Sequence, residues 1–116
     1  MSDNLPLTND ISIELVGGTV VLKPTLQAAI RLSTMRGGLT EMINRCQNID
    51  FEAISDVIIY GSGMKVEADT KQRIFETGLV DLFVPCISYL NLLANGGRKF
   101  DEKREETEDP KAPNSQ

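Results

Sequence analysis

The chain has 116 residues, 17 acidic against 12 basic side chains and a net charge of −5. That length predicts one domain with a modest core. The mixed, mildly acidic charge excludes the basic stripe of a nucleic-acid binder, and no apolar run approaches the roughly 18 residues that cross a bilayer. Histidine is absent, which removes the commonest general base and transition-metal ligand.

Residues 1–10 read as a flexible N-terminus, and the opening Met1-Ser2-Asp3-Asn4 lacks the basic and apolar regions of a secretory signal. From Ile11 the pattern alternates. With Gly17-Gly18 as a two-residue turn, Val16 faces Thr19, Leu15 faces Val20 and Ile13 faces Leu22. Ile11, Ile13, Leu15, Val20 and Leu22 then share one apolar face, and Glu14 lies diagonal to Lys23. A two-stranded hairpin is marginal alone, so Ile13, Leu15, Val20 and Leu22 are expected to pack on a helical body.

After Lys23-Pro24, Thr25 is placed to cap a helix with Leu26, Ala29, Ile30 and Ser33 on one stripe, Arg31 and Arg36 outward, and Gly37-Gly38 as its stop. Thr40 is the expected cap of a second helix with Leu39, Met42, Ile43 and Cys46 on its apolar side. Asp50 is the cap of a third, with Ile49 and Ile54 at hydrophobic-staple spacing; this helix buries Phe51, Ile54, Val57 and Ile58 and stops at Gly61. Ser62 to Val66 reads as a loop. Asp69 and Gln72 resemble a capping box for a fourth helix, which carries Ile74 and Phe75 and reaches Thr77-Gly78. The last helix runs from about Leu79 to Leu93, with the stripe Leu79, Leu82, Phe83, Cys86, Ile87, Leu90 and Leu93. Pro85 fits a first turn if this helix starts near Asp81 and otherwise breaks a hydrogen bond inside it. Asn95-Gly96-Gly97 closes it, and residues 98–116, charged and then proline-rich, read as a disordered tail. The expected fold is α+β, mostly α: an N-terminal β-hairpin packed on about five short helices over residues 11–97.

Chemistry-bearing residues are sparse. Cys46 and Cys86 sit in apolar helical patterns and read as buried, reduced thiols. Gly61-Ser62-Gly63-Met64-Lys65 follows a β-branched run, but it lacks the spacing of a P-loop and the third glycine of a dinucleotide fingerprint. Glu52 and Asp56 stand one helical turn apart with no further ligand, which describes a solvated helix face. Ser33, Ser55, Ser62 and Ser88 have no histidine base. No catalytic residue, metal site or cofactor is expected. The apolar stripe of the last helix reads as core, as a partner-binding face, or as a self-association face.

The order of the elements resembles a known family. Val20-Val21-Leu22-Lys23-Pro24-Thr25, Gly37-Gly38-Leu39, Glu76-Thr77-Gly78-Leu79 and Leu92-Leu93-Ala94-Asn95-Gly96-Gly97 together look like the small tail assembly chaperones of long-tailed phages and gene transfer agents, some of which are described as tail tube proteins. The resemblance implies a non-enzymatic role in the bacterial cytoplasm, with the tape measure protein and tail tube subunits as partners and no part for nucleic acid or membrane. On this reading Phe75, Leu79, Phe83 and Leu90 are the partner-binding candidates, and Gly17, Gly18, Pro24 and Gly78 are structural. A structural tube or connector subunit is the alternative, and a small nucleotide-binding domain using residues 61–65 is a third.

Overall fold

The computed structural model describes residues 9–35, 37–63 and 68–98. The elements are β1 (Ile11–Leu15), β2 (Gly18–Leu22), α1 (Leu26–Ser33), α2 (Leu39–Gln47), α3 (Phe51–Ser62), α4 (Ala68–Thr77) and α5 (Leu79–Ala94). The fold is α+β and mostly α, with an antiparallel hairpin at the N-terminal end of the helices. Of the expected flexible N-terminus (1–10) and disordered tail (98–116), residues 1–8 and 99–116 lie outside the described residues, whereas Asn9 and Arg98 are bonded to the end of α5.

The hairpin's apolar face is the expected one, but its register is not. Ile11 pairs with Leu22, Ile13 with Val20 and Leu15 with Gly18. The turn is therefore Val16-Gly17, two residues away in register from the Gly17-Gly18 turn. A slip of two leaves every side chain on its original face, so alternation could not distinguish the two pairings. What selects the register is tertiary. The Val16 N–H donates to Thr77 Oγ1 at 2.8 Å, and Arg73 Nε donates to the Val16 carbonyl at 2.7 Å. Thr77 Oγ1 in turn donates to the Arg73 carbonyl at 2.8 Å. Gly17, at φ +97°, lies so close beneath Arg73 that a Cβ there would stand 3.0 Å from Nε. The turn is docked on α4. Glu14 accordingly accepts from Thr19 Oγ1 at 2.8 Å across the strands. Ile13, Leu15 and Leu22 are buried and Val20 packs against them.

Thr25 caps α1 as expected, accepting from the Ala28 N–H at 3.1 Å. The rest of α1 is corrected in phase and length. Ala28 and Leu32 are buried, whereas Leu26 and Ile30 are 77% and 57% exposed. The helix ends at Ser33 rather than at the glycine pair. Ser33 and Thr34 hydroxyls donate to the carbonyls of Ile30 and Arg31, at 3.1 and 2.9 Å, drawing the last turn off the helical ladder. Thr40 lies inside α2, whose N-cap is Gly38 with no side-chain hydrogen bond. The far end of α2 is a Schellman turn. Asp50 N–H reaches the Arg45 carbonyl at 3.0 Å and Ile49 N–H the Cys46 carbonyl at 3.0 Å. That places Ile49 at φ +58°, an uncommon conformation for a β-branched residue.

Asp50 caps α3, accepting from the Ala53 N–H at 3.2 Å and from Arg45 Nη1 at 3.2 Å. The helix buries Ala53, Ile54, Ser55, Val57, Ile58 and Ile59 and packs against α1, α2, α4, α5 and β2. It does not stop at Gly61. It runs to Ser62 and ends on Gly63 in the left-handed conformation. Gly61 serves a different purpose: a Cβ on it would lie 3.0 Å from Cε2 and Cζ of Tyr89. Asp69 lies in the first turn of α4, which begins at Ala68, so it does not head a capping box there. α5 begins at Leu79, and Pro85 is interior to it. The proline withdraws the N–H that the Asp81 carbonyl would otherwise receive. α5 closes in a second Schellman turn, Gly97 N–H to the Leu92 carbonyl at 2.7 Å, and Asn9 Nδ2 donates to the Gly97 carbonyl at 3.1 Å.

Two expectations follow. Gly61→Ala forces a methyl group against the Tyr89 ring and should lower unfolding free energy by about 1–3 kcal/mol in urea denaturation; unchanged stability would mean the ring has room to retreat. The Asp50 carboxyl is held below its ordinary pKa, chiefly by the Ala53 N–H and then by Arg45, against the opposing effect of burial. Its contribution is therefore complete above the unfolded aspartate value of about 3.9 and is lost as pH falls towards the lower folded value. Asp50→Asn keeps a capping oxygen but not the charge, so its stability deficit relative to wild type should shrink between pH 6 and pH 3, read from paired thermal melts.

Candidate functional site

The groups with chemical potential are tied into the fold. Cys46 and Cys86 are fully buried. Desolvation, with smaller contributions from Asp50 and Asp56, pushes the Cys46 thiol up to about 12, and burial together with Cys46 raises Cys86 well above its ordinary value. Glu52 accepts from Lys71 Nζ at 3.3 Å and so ties α3 to α4. Ser62 donates to the Ile58 carbonyl at 2.6 Å. Ser55 is buried, and its hydroxyl meets no hydrogen-bond partner among the described residues. No group of three or more Cys, Asp or Glu side chains among the described residues could hold a metal ion. The run Val57–Tyr60 is helix, not a strand entering a phosphate loop, which overturns the structural premise of the nucleotide reading. Met64 and Lys65 lie outside the described residues.

The surface is more informative. α4 turns into α5 at Gly78 with an angle of 105° between the helices. Gly78, at φ +103°, provides a backbone conformation that other residues seldom adopt. Around this corner Phe75 is 67%, Val80 68% and Val84 58% exposed. Leu79 and Phe83 are half-buried and packed against the core. Of the four partner-binding candidates, Phe75 is thus on the surface, and Leu79 and Phe83 are half-buried against the core. Leu90 is corrected: it has no exposed surface and is a core residue, because its position on α5 faces the interior of the bundle.

Val80 and Val84 are the surface residues that the stripe missed. They stand four apart on the side of α5 away from Leu82, Cys86 and Tyr89. The signal was present, since α5 is apolar nearly all round and Asp81 is its single charged residue. A helix of that kind either is buried on all sides or leaves apolar surface uncovered. Val84 also borders a groove of about 550 Å³ between α5 and the start of β1, lined further by Ile11, Pro85, Ser88 and Leu92 and flanked by Asn9 and Arg98. The arrangement can bind an apolar or amphipathic surface.

Set against family models, curated proteins and solved structures, the chain matches none.

The thiols should behave as core side chains. With Cys46 at about 12, on the order of one molecule in ten thousand carries its thiolate at pH 8. Alkylation of either cysteine in native protein should proceed only at the rate of unfolding and rise in step with urea-induced opening. Rapid stoichiometric labelling without denaturant would place a thiol at the surface.

Proposed function

We propose that this chain is a non-enzymatic tail assembly chaperone of a long-tailed phage, prophage or gene transfer agent, which shields the tape measure protein and recruits tail tube subunits. The observation that supports this reading most is the uncovered apolar corner of Phe75, Val80 and Val84. A small domain with an exposed apolar patch of this kind is suited to a partner whose own surface is apolar. A tape measure protein is long and helical, and its amphipathic helices offer apolar stripes at i, i+3, i+4 and i+7 that fit such a surface. The α5 face contributes small side chains at Val80, Val84 and Ser88 and little charge, so a partner helix can approach closely without stranding ions.

Co-expression with the tape measure product of the same locus tests the reading. The soluble fraction of that product should rise with the wild-type chain and fall back with Val80→Asp/Val84→Asp. Burial of each valine is worth about 1.5 kcal/mol or more, so the double variant should weaken capture by on the order of a hundredfold. Both positions are exposed, so its melting temperature should stay near wild type. No gain in tape measure solubility with the wild-type chain would refute the role. Stoichiometric recovery of the chain from purified particles would make it a tube or connector subunit instead.

A further inference from the structure

We propose that the concavity between the hairpin exit, α1 and the end of α3 is a docking site for a short acidic peptide segment of a partner protein. It encloses about 440 Å³ on a different set of elements from the α4–α5 corner. Two cationic side chains, Lys23 and Arg31, line it together with the polar groups of Thr25, Gln27, Tyr60 and Ser62. Among the described residues no carboxylate lines it, in a chain where acids outnumber bases 17 to 12. Among the described residues neither Lys23 nor Arg31 forms an ion pair.

The cations are positioned rather than merely present. The Arg31 guanidinium sits over the Tyr60 ring, 4.8 Å from its centroid. That contact places the charge over the ring, and among the described residues no hydrogen bond or ion pair occupies the guanidinium N–H groups, which leaves them for a carboxylate fork. Lys23 is held on both sides of its backbone, its N–H on the Gly61 carbonyl at 3.0 Å and its carbonyl on the Tyr89 hydroxyl at 2.6 Å. Its ammonium therefore springs from a fixed point. α1 also begins at this site with no acidic residue in its first turn to offset its positive end.

The opposite wall selects a peptide over a free anion. It is the last turn of α3, where the Ile59 and Tyr60 side chains stand beside the two cations. A bare oxyanion can use only the cations. A peptide with Asp or Glu side chains brings carboxylates to Lys23 and Arg31 and lays its chain along the Tyr60 and Ala28 side of the concavity.

Calorimetric titration of the full chain at fixed ionic strength decides the matter, with a capped tetraglutamate peptide, a capped tetraglutamine peptide and inorganic phosphate as probes. Saturable binding of tetraglutamate alone is expected. It should weaken at least tenfold in Lys23→Gln/Arg31→Gln and by an intermediate factor in Arg31→Lys, which keeps the charge but loses the fork. Lys71→Gln removes one charge elsewhere and should change affinity by less than twofold. Unaltered melting temperatures would show that these exposed substitutions leave the fold in place. Absence of saturation overturns the proposal. So does equal loss in Lys71→Gln, which would mean unspecific attraction, or phosphate binding as tight as the peptide, which would mean an adventitious ion only.

Discussion

The fold is closed at one joint. Tyr89, near the middle of α5, lays its ring on Gly61 of α3 and donates its hydroxyl to the Lys23 carbonyl at 2.6 Å. Lys23 then gives its own N–H to the Gly61 carbonyl at 3.0 Å. Three segments far apart in the chain thus share one small triangle, and each has what the others require. Gly61 has no side chain, so the ring can sit against the backbone. The end of α3 has a carbonyl beyond the reach of its own ladder, so a strand amide can satisfy it. Tyr89 is fully buried, and its polar tip would be costly there without an acceptor. Burial accordingly raises the phenol's pKa, which favours the neutral, donating form.

Much of the rest follows from that joint. With Lys23 fixed, Pro24 and Thr25 start α1 at a set point, and the phase of α1 is no longer free. Gly97 packs against Pro24, where a Cβ would stand 3.6 Å from the proline carbonyl, and Asn9 bonds the Gly97 carbonyl. The two ends of the described chain therefore meet beside the hairpin exit. At the other end of the hairpin, Arg73 and Thr77 hold the turn. The hairpin is clamped at both ends by helices distant in sequence, which is how two short strands remain paired without a third.

What was legible in the sequence was whatever local pattern alone determines. The caps at Thr25 and Asp50, the apolar face of the hairpin and the glycine ending of α5 all depend on residues within a turn or two. Register, phase and burial depend on partners. The pairing of Ile13 with Val20 rather than Leu22 is set by α4 seizing Val16, and both pairings have the same alternation. α1 carries Leu26, Ala28, Ala29, Ile30 and Leu32, so two stripes were available, and the one with the larger residues was the wrong one. The small side chains of Ala28 and Ala29 face inward and Leu26 and Ile30 outward, an inversion that packing imposes and hydropathy does not reveal. Gly61 is the plainest case. Its local signature is a helix stop, and its actual role is to admit a ring that arrives from 28 positions further along the chain.

The same distinction governs the surface. The α5 stripe from Leu79 to Leu93 was readable both as core and as partner face, and the structure divides it: Leu82, Cys86, Leu90 and Leu93 are consumed by the bundle. What remains uncovered is the reverse of the helix, Val80 and Val84, together with Phe75 across the Gly78 corner. A helix whose single charge is Asp81 cannot turn a solvated face outward whichever way it is rotated. Burying one side in the bundle leaves the other side apolar. Replacing Val80 and Val84 with polar residues would carry little cost to the fold, because neither fills the core. Their apolar character is not required by the packing of this domain, which is the physical reason for proposing the corner as an interaction face rather than a stabilising one.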